Sequence, residues 1–264
     1  MKCICLILIL FQTELIAQIS PGPRSISMGS AGVALKGVWS LQHNSAGIAE
    51  IRRPIFALGY QRHFSDQDLS TQKAVFAIPF KQHVFGLSIH RYGLSEYSDQ
   101  TTGIAYTRNF SGALALSIMI NYHQLSIHKY GESRAVSVDA GMQYRINDKF
   151  WIGTHISNPS NSKFHDLLGS TIPLSISVGV SFEFSDKVLL VSDIRKVLTA
   201  KIDTKLGLEY RMIKWFAFRG GMSANPFKQY AGFGIQYHRF ALEVAISSHP
   251  NLGYSPNLAF SYEF

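Results

Sequence analysis

The chain has 264 residues, a formal net charge of +8, 46% hydrophobic residues and only 16% charged ones, which suits one large all-β domain or two small ones. No apolar run reaches the roughly 18–20 residues of a membrane-crossing helix, so helical spanning is excluded. Lys and Arg are scattered rather than gathered in a stripe, which argues against a nucleic-acid partner.

The N-terminus reads as a leader. Met1-Lys2 precedes the apolar stretch CICLILILF, and Leu15-Ile16-Ala17 stands before Gln18. This pattern predicts a secretory signal peptide over residues 1–17, cut after Ala17. Cys3 and Cys5 both lie inside it, at neither a lipobox position nor the cleavage site. The mature chain is then free of cysteine, and a large core or a closed barrel must supply its stability.

Residues 18–53 are rich in Gly and small residues and show no sustained alternation. Short helices are expected over Ser27–Leu35 and Ser40–Ala49 within a separate non-strand element.

From Pro54 onward the apolar period is two. Fourteen strands are predicted: 54–64, 71–80, 83–91, 101–109, 112–124, 133–146, 149–157, 172–184, 187–195, 201–212, 214–222, 228–238, 239–248 and 254–264. Arg134–Trp151 shows the unit. Val136, Val138, Ala140, Met142, Tyr144 and Ile146 fall on one face; Ser137, Asp139, Gly141, Gln143 and Arg145 fall on the other; Asn147-Asp148 supplies the turn. Six tight turns (Lys81-Gln82, Phe110-Ser111, Asn147-Asp148, Ser185-Asp186, Ile213 and the junction at Arg239) alternate with longer connections. Short periplasmic turns alternating with longer outer loops mark an up-and-down membrane barrel, and an even strand number returns both ends to the periplasmic side.

The polar face decides what surrounds the barrel. It carries Ser, Gly, Ala, Asn and His with few Lys or Glu, whereas a soluble surface is roughly a quarter to a third charged. The polar face therefore lines a lumen and the apolar face meets lipid. Aromatics on the apolar face collect beside the short turns, among them Tyr144, Phe150, Phe182, Phe184, Tyr210, Phe216, Tyr237, Phe240 and Tyr262, as in an interfacial girdle. Phe264 ends the last strand in phase with them, like the assembly signal of Gram-negative outer-membrane barrels. The expected fold is all-β, a 14-stranded antiparallel up-and-down transmembrane β-barrel over residues 54–264. Its expected location is the outer membrane of a Gram-negative bacterium, with outer-membrane lipid, lipopolysaccharide and the barrel assembly machinery as partners.

Chemistry-bearing motifs are missing from the sequence. There is no G-x-S-x-G, no H-E-x-x-H and no phosphate loop, the His residues are dispersed, and no enzyme, cofactor or metal is expected. The inward charges fall in two groups. Arg145, Glu183, Glu209, Arg211, Glu243 and Glu263 lie near the periplasmic ends, and Asp193, Arg195, Asp203 and Lys205 lie near the outer ends. Charges inside a barrel need partners or water. The outer group, with His90 and His123, suits cross-strand ion pairs or a ligand contact.

Gly22 to Leu35 (GPRSISMGSAGVAL), followed by Asn44-Ser45-Ala46-Gly47-Ile48-Ala49, carries a second kind of information. It resembles a pattern, roughly G-x-R-x-x-x-M-G-x-A-x-V-A and then N-P-A-G-L-A, of the FadL-like long-chain fatty acid transporter superfamily. Within it the chain is most similar to the PorV/PorQ branch linked to type IX secretion. Ser45 stands where that pattern has proline, and Gly37 where an acidic residue is common. The resemblance implies that residues 18–53 fold inside the barrel as a plug, with Arg24, Met28, Gly29, Ala31, Asn44, Ala46 and Gly47 as its motif. A lumen of this width needs such an occupant or water, and Gly86, Gly103, Gly141, Gly153, Gly179, Gly207, Gly232 and Gly234 could admit it; strand bending explains the same glycines. The ring would then pair partly within itself and partly with Arg24, Lys36, Arg52 or Arg53.

The function implied is that of a plugged outer-membrane barrel acting as an interaction or accessory component of type IX secretion, with secretion-system proteins as partners. The alternative is a transporter for a small hydrophobic solute. The inward set is mostly polar, with Trp151, Leu189 and Val191 as exceptions, which weighs against a fatty acid path.

Overall fold

The computed structural model describes residues 21–64, 66, 68–164 and 171–264. The expected leader, with Cys3 and Cys5, lies outside the described residues. Fourteen antiparallel strands form one closed barrel in which each strand pairs with its sequence neighbours and β1 closes on β14. They are β1 (Ile55–Arg62), β2 (Ser70–Phe80), β3 (His83–Gly93), β4 (Tyr97–Phe110), β5 (Leu114–Ile127), β6 (Gly131–Asn147), β7 (Phe150–Ser157), β8 (Ser175–Ser185), β9 (Val188–Val197), β10 (Asp203–Ile213), β11 (Phe216–Ala224), β12 (Phe227–Tyr237), β13 (Phe240–His249) and β14 (Gly253–Glu263). Closure leaves no sheet edge, which a lipid-facing sheet requires because unpaired backbone groups are costly in hydrocarbon.

The faces are sorted as the alternation demands. Along β5, Leu116, Ile118 and Ile120 are 41, 56 and 55% exposed on the outside, while Ser117, Asn121 and His123 are buried inside. A soluble barrel would show the reverse. The aromatics beside the short turns touch one another around the wall, as in Phe150–Phe182, Phe182–Phe184, Phe240–Tyr262 and Tyr262–Phe264. Register shifts occur at Arg145/Asn147, Glu183/Ser185 and Arg211/Ile213, all at the short-turn rim.

Two expectations are corrected. The β11–β12 connection is only Asn225-Pro226, because both strands run further out than their apolar pattern does, so long and short turns do not alternate strictly. Nor are there helices over Ser27–Leu35 and Ser40–Ala49. One helical turn spans Pro23–Ser27, and two 3-10 turns span Val38–Gln42 and Ser45–Ile48. Pro23 opens the first turn in the position where its missing N–H costs nothing. Gly29 and Ser30, at φ +73° and +57°, end it by entering the left-handed region.

If the outer face meets lipid, Ile118→Arg should destabilise the barrel by about 2–4 kcal/mol in urea unfolding from phospholipid bilayers. Ile118→Leu should cost under about 1.5 kcal/mol. Equal stabilities for the two variants would place the outer face in water instead.

Candidate functional site in the barrel lumen

The segment from residue 21 to 53 lies inside the wall, and its seat is built first from shape. Val38, Trp39, Leu41, Ile48 and Ile51 form one apolar cluster with small wall residues Ala57, Ala77, Ala105 and Ala259 and with Val75, Val84 and Met119. On the opposite side Met28, Ala31 and Leu35 pack on Leu189 and Val191. The inward apolar residues of β9 thus seat this segment. Wall glycines let it approach. A Cβ at Gly207 would overlap Met28, one at Gly153 the Val33 carbonyl, and one at Gly86 the Leu41 side chain. Gly103 and Gly234 serve a different purpose: they make room for Met119 and Asn121, and for Arg219, within the wall itself.

Hydrogen bonds then fix the register of segment and wall. Asn44 is fully buried; its Nδ2 donates to the Val33 and Met142 carbonyls at 2.7 and 3.1 Å, and its Oδ1 accepts from the Ala46 N–H at 3.2 Å. Gln143 Nε2 donates to the Val33 and Leu35 carbonyls at 3.0 and 2.9 Å. Asp193 Oδ2 accepts from the Gly32 and Val33 N–H groups at 2.6 and 3.0 Å. Ser45 Oγ donates to Ser117 Oγ at 2.9 Å, a wall contact that proline at this position could not make. Gly47 accepts from the Gly37 N–H at 3.1 Å and leaves no room for a Cβ against Leu35 and Ser40.

Charge makes the third layer. Glu209, on β10, accepts from Arg24 Nε and a second Arg24 nitrogen at 2.9 and 3.0 Å, from Arg219 at 2.8 Å and from Arg211 at 3.3 Å. Arg219 also meets Glu243 at 3.2 Å. The nearby Glu209 carboxylate raises the Arg24 pKa above its ordinary value against the opposing effect of burial, with Glu243 and Glu183 adding to the rise. The expected ring is therefore not one unit. Arg145 turns to Asp148 at 3.6 Å and Glu263 to Arg53 at 3.8 Å, near the rim. Lys36 pairs with Glu50 at 3.1 Å and lies 3.5 Å over the Trp151 ring. Arg219, absent from the expected ring, is central to it, with its side chain 7% exposed. Its phase with Ala217 on the inward face of β11 was the available clue.

The outer group is also split. Asp193 and Lys205 hold the inner segment, the latter through the Ser30 carbonyl at 3.3 Å. Asp203 accepts from the Asn225 N–H at 3.0 Å, and Arg195 stands opposite it in the ladder. His123 contacts Ser137 and Thr101 at 2.8 and 3.1 Å, so it belongs to the wall network.

Beside Arg24 a cavity of about 230 Å³ lies between the inner segment and the short-turn ends of β12–β14 and β1. It lies at the short-turn end, between Leu35, Val38 and Trp39 on one side and Ile55, Ala241 and the His238-Arg239 turn on the other. Ser25 and His43, also on its lining, meet at 2.8 Å. Ser25 Oγ donates its proton to the Ala31 carbonyl at 2.8 Å, which leaves His43 Nε2 as the donor and the serine without a base. Burial pushes the His43 pKa well below 6.5, and Lys205 and Arg195 push it the same way.

The fold is thus a closed 14-strand antiparallel barrel. Solved structures share it. Over 91% of this chain and 97% of its own, the Pseudomonas putida toluene transporter TodX superposes with a TM-score of 0.73 at 12% identity. The Ralstonia pickettii toluene transporter TbuX gives 0.69 at 12%, and a Pseudomonas aeruginosa FadL homologue gives 0.67 at 12%, each over 92% of this chain and 98% of its own. No family model and no curated protein matches the sequence. The likeness is therefore one of fold.

Glu209→Gln should weaken the seat by about 2–3 kcal/mol, because Arg24 and Arg219 lose a shared carboxylate at a buried site. The readout is faster tryptic cleavage after Arg24 in a barrel that still resists heat in detergent; unchanged cleavage would refute it. His43 gives a pH prediction. Its folded pKa is depressed, so its contribution is complete above pH 6.5 and is lost as pH falls below that value. Tryptic release should accelerate between pH 7 and pH 5 in the wild type, on the low side of the 6.5 reference, and should be flatter in His43→Gln.

Proposed function

We propose that the protein is an outer-membrane transporter for a small hydrophobic solute and that residues 21–53 act as its plug. The observation that carries this reading is the seat itself. The segment fills the lumen by apolar packing on two sides, yet leaves a cavity of about 230 Å³ with Leu35, Val38, Trp39, Ile55 and Ala241 on its walls at the periplasmic end. Arg24, Lys36, Arg239, Glu243 and Glu263 line the rest, so the space is amphipathic, with an apolar wall that suits a compact hydrophobic group. An open porin needs no seated segment. The outward apolar belt supports the outer-membrane location.

The solved neighbours named above are described as toluene transporters and a FadL homologue, and another is a monoaromatic hydrocarbon channel. They support the transport reading over the type IX accessory role implied by the N-terminal motif. The polar lumen limits the solute to something small, because apolar wall positions such as Leu189 and Val191 are occupied by the plug.

Uptake of labelled toluene by a Gram-negative host without such a transporter tests the proposal. Expression should raise the initial rate several-fold, and Val38→Trp, which fills the cavity, should return it to background. A rate equal to that of the empty vector would overturn the proposal.

A further inference from the structure

The short-turn rim carries a feature that transport does not explain. Five of the six tight hairpins bear a cation within the turn, Lys81, Lys149, Lys187, Lys214 and Arg239, and the sixth bears Arg108 on β4 two residues before the strand ends. All six are exposed, and none has an ion-pair partner among the described residues. Nearby acids are engaged elsewhere: Asp148 with Arg145, Glu263 with Arg53, Glu50 with Lys36. Asp186 and Glu183 remain, too few to neutralise the ring.

Five of the six cations stand beside the aromatic belt. Arg108 shares the outward face of Tyr106 and lies 4.8 Å from the Phe110 ring centroid; Lys81 lies 5.8 Å from that of Phe80. Lys149, Lys214 and Arg239 directly precede Phe150, Trp215 and Phe240. Aromatic belts sit at the level of lipid headgroups. A long cationic side chain at a belt reaches outward to the phosphate layer.

We propose that this collar binds the headgroups of anionic phospholipid in the periplasmic leaflet. The partner is a lipid surface because the cations encircle the wall at headgroup depth instead of gathering on one patch, as a protein partner would need. The collar anchors the barrel at that leaflet and sets its depth, whatever solute it carries.

The test is lipid retention by the purified full barrel in nanodiscs of phosphatidylcholine with a minority of phosphatidylglycerol, read by native mass spectrometry. The wild type should enrich phosphatidylglycerol. Lys149→Gln, Lys187→Gln and Lys214→Gln together should cut that enrichment at least about fivefold, the effect of ~1 kcal/mol per basic residue at an anionic surface. The matched triple Lys129→Gln, Lys163→Gln and Lys196→Gln at the opposite rim should keep it. Raising salt from about 0.05 to about 0.5 M should abolish the wild-type preference, which needs no variant to fold. A wild type without preference, an unaffected collar triple, or an equal loss in the opposite-rim triple would overturn the proposal. Failure here leaves toluene uptake untouched, so the two readings fall separately.

Discussion

Fourteen strands close around a lumen wider than their own side chains can fill, and that excess width governs the interior. The chain meets it with its own N-terminal segment. The bulky segment residues Met28, Trp39, Leu41 and Ile48 face glycine, alanine and valine on the wall, so volume is exchanged between segment and barrel. The same constraint accounts for the polar contacts. A backbone without regular structure must bond elsewhere, and the wall supplies Gln143 for its carbonyls and Asp193 for its N–H groups.

Glu209 concentrates the electrostatic side of the arrangement. One carboxylate holds Arg24 of the segment and Arg219 of the wall, and Arg219 passes on to Glu243. Burial makes an unpaired charge there costly, so the network is strong only while complete. It stands beside the cavity at the short-turn ends of β12–β14.

Much of this was legible from residues in order. Period-two alternation fixed strand number and faces because lipid demands an apolar outer surface at every strand, as in Ile118 against Ser117. Strand limits were less legible: β4 begins at Tyr97 rather than near residue 101, since ladder bonds continue past the apolar zone. The inner segment was legible as non-strand but not as a path, because Gly29 and Ser30 turn the backbone through left-handed conformations. The site's pairings were the hardest. Asp193 meets Gly32 and Glu209 meets Arg24 across most of the chain, and only closure of the barrel brings them together.

The central claim is that a seated segment controls passage. Ser45 and Ser117 Oγ lie 2.9 Å apart, so Ser45→Cys with Ser117→Cys can lock the segment to β5, and the described residues contain no other cysteine. Labelled toluene uptake by cells carrying this pair measures the claim directly. The account predicts uptake at background when the pair is oxidised and recovery on reduction; full uptake with the lock closed would contradict it.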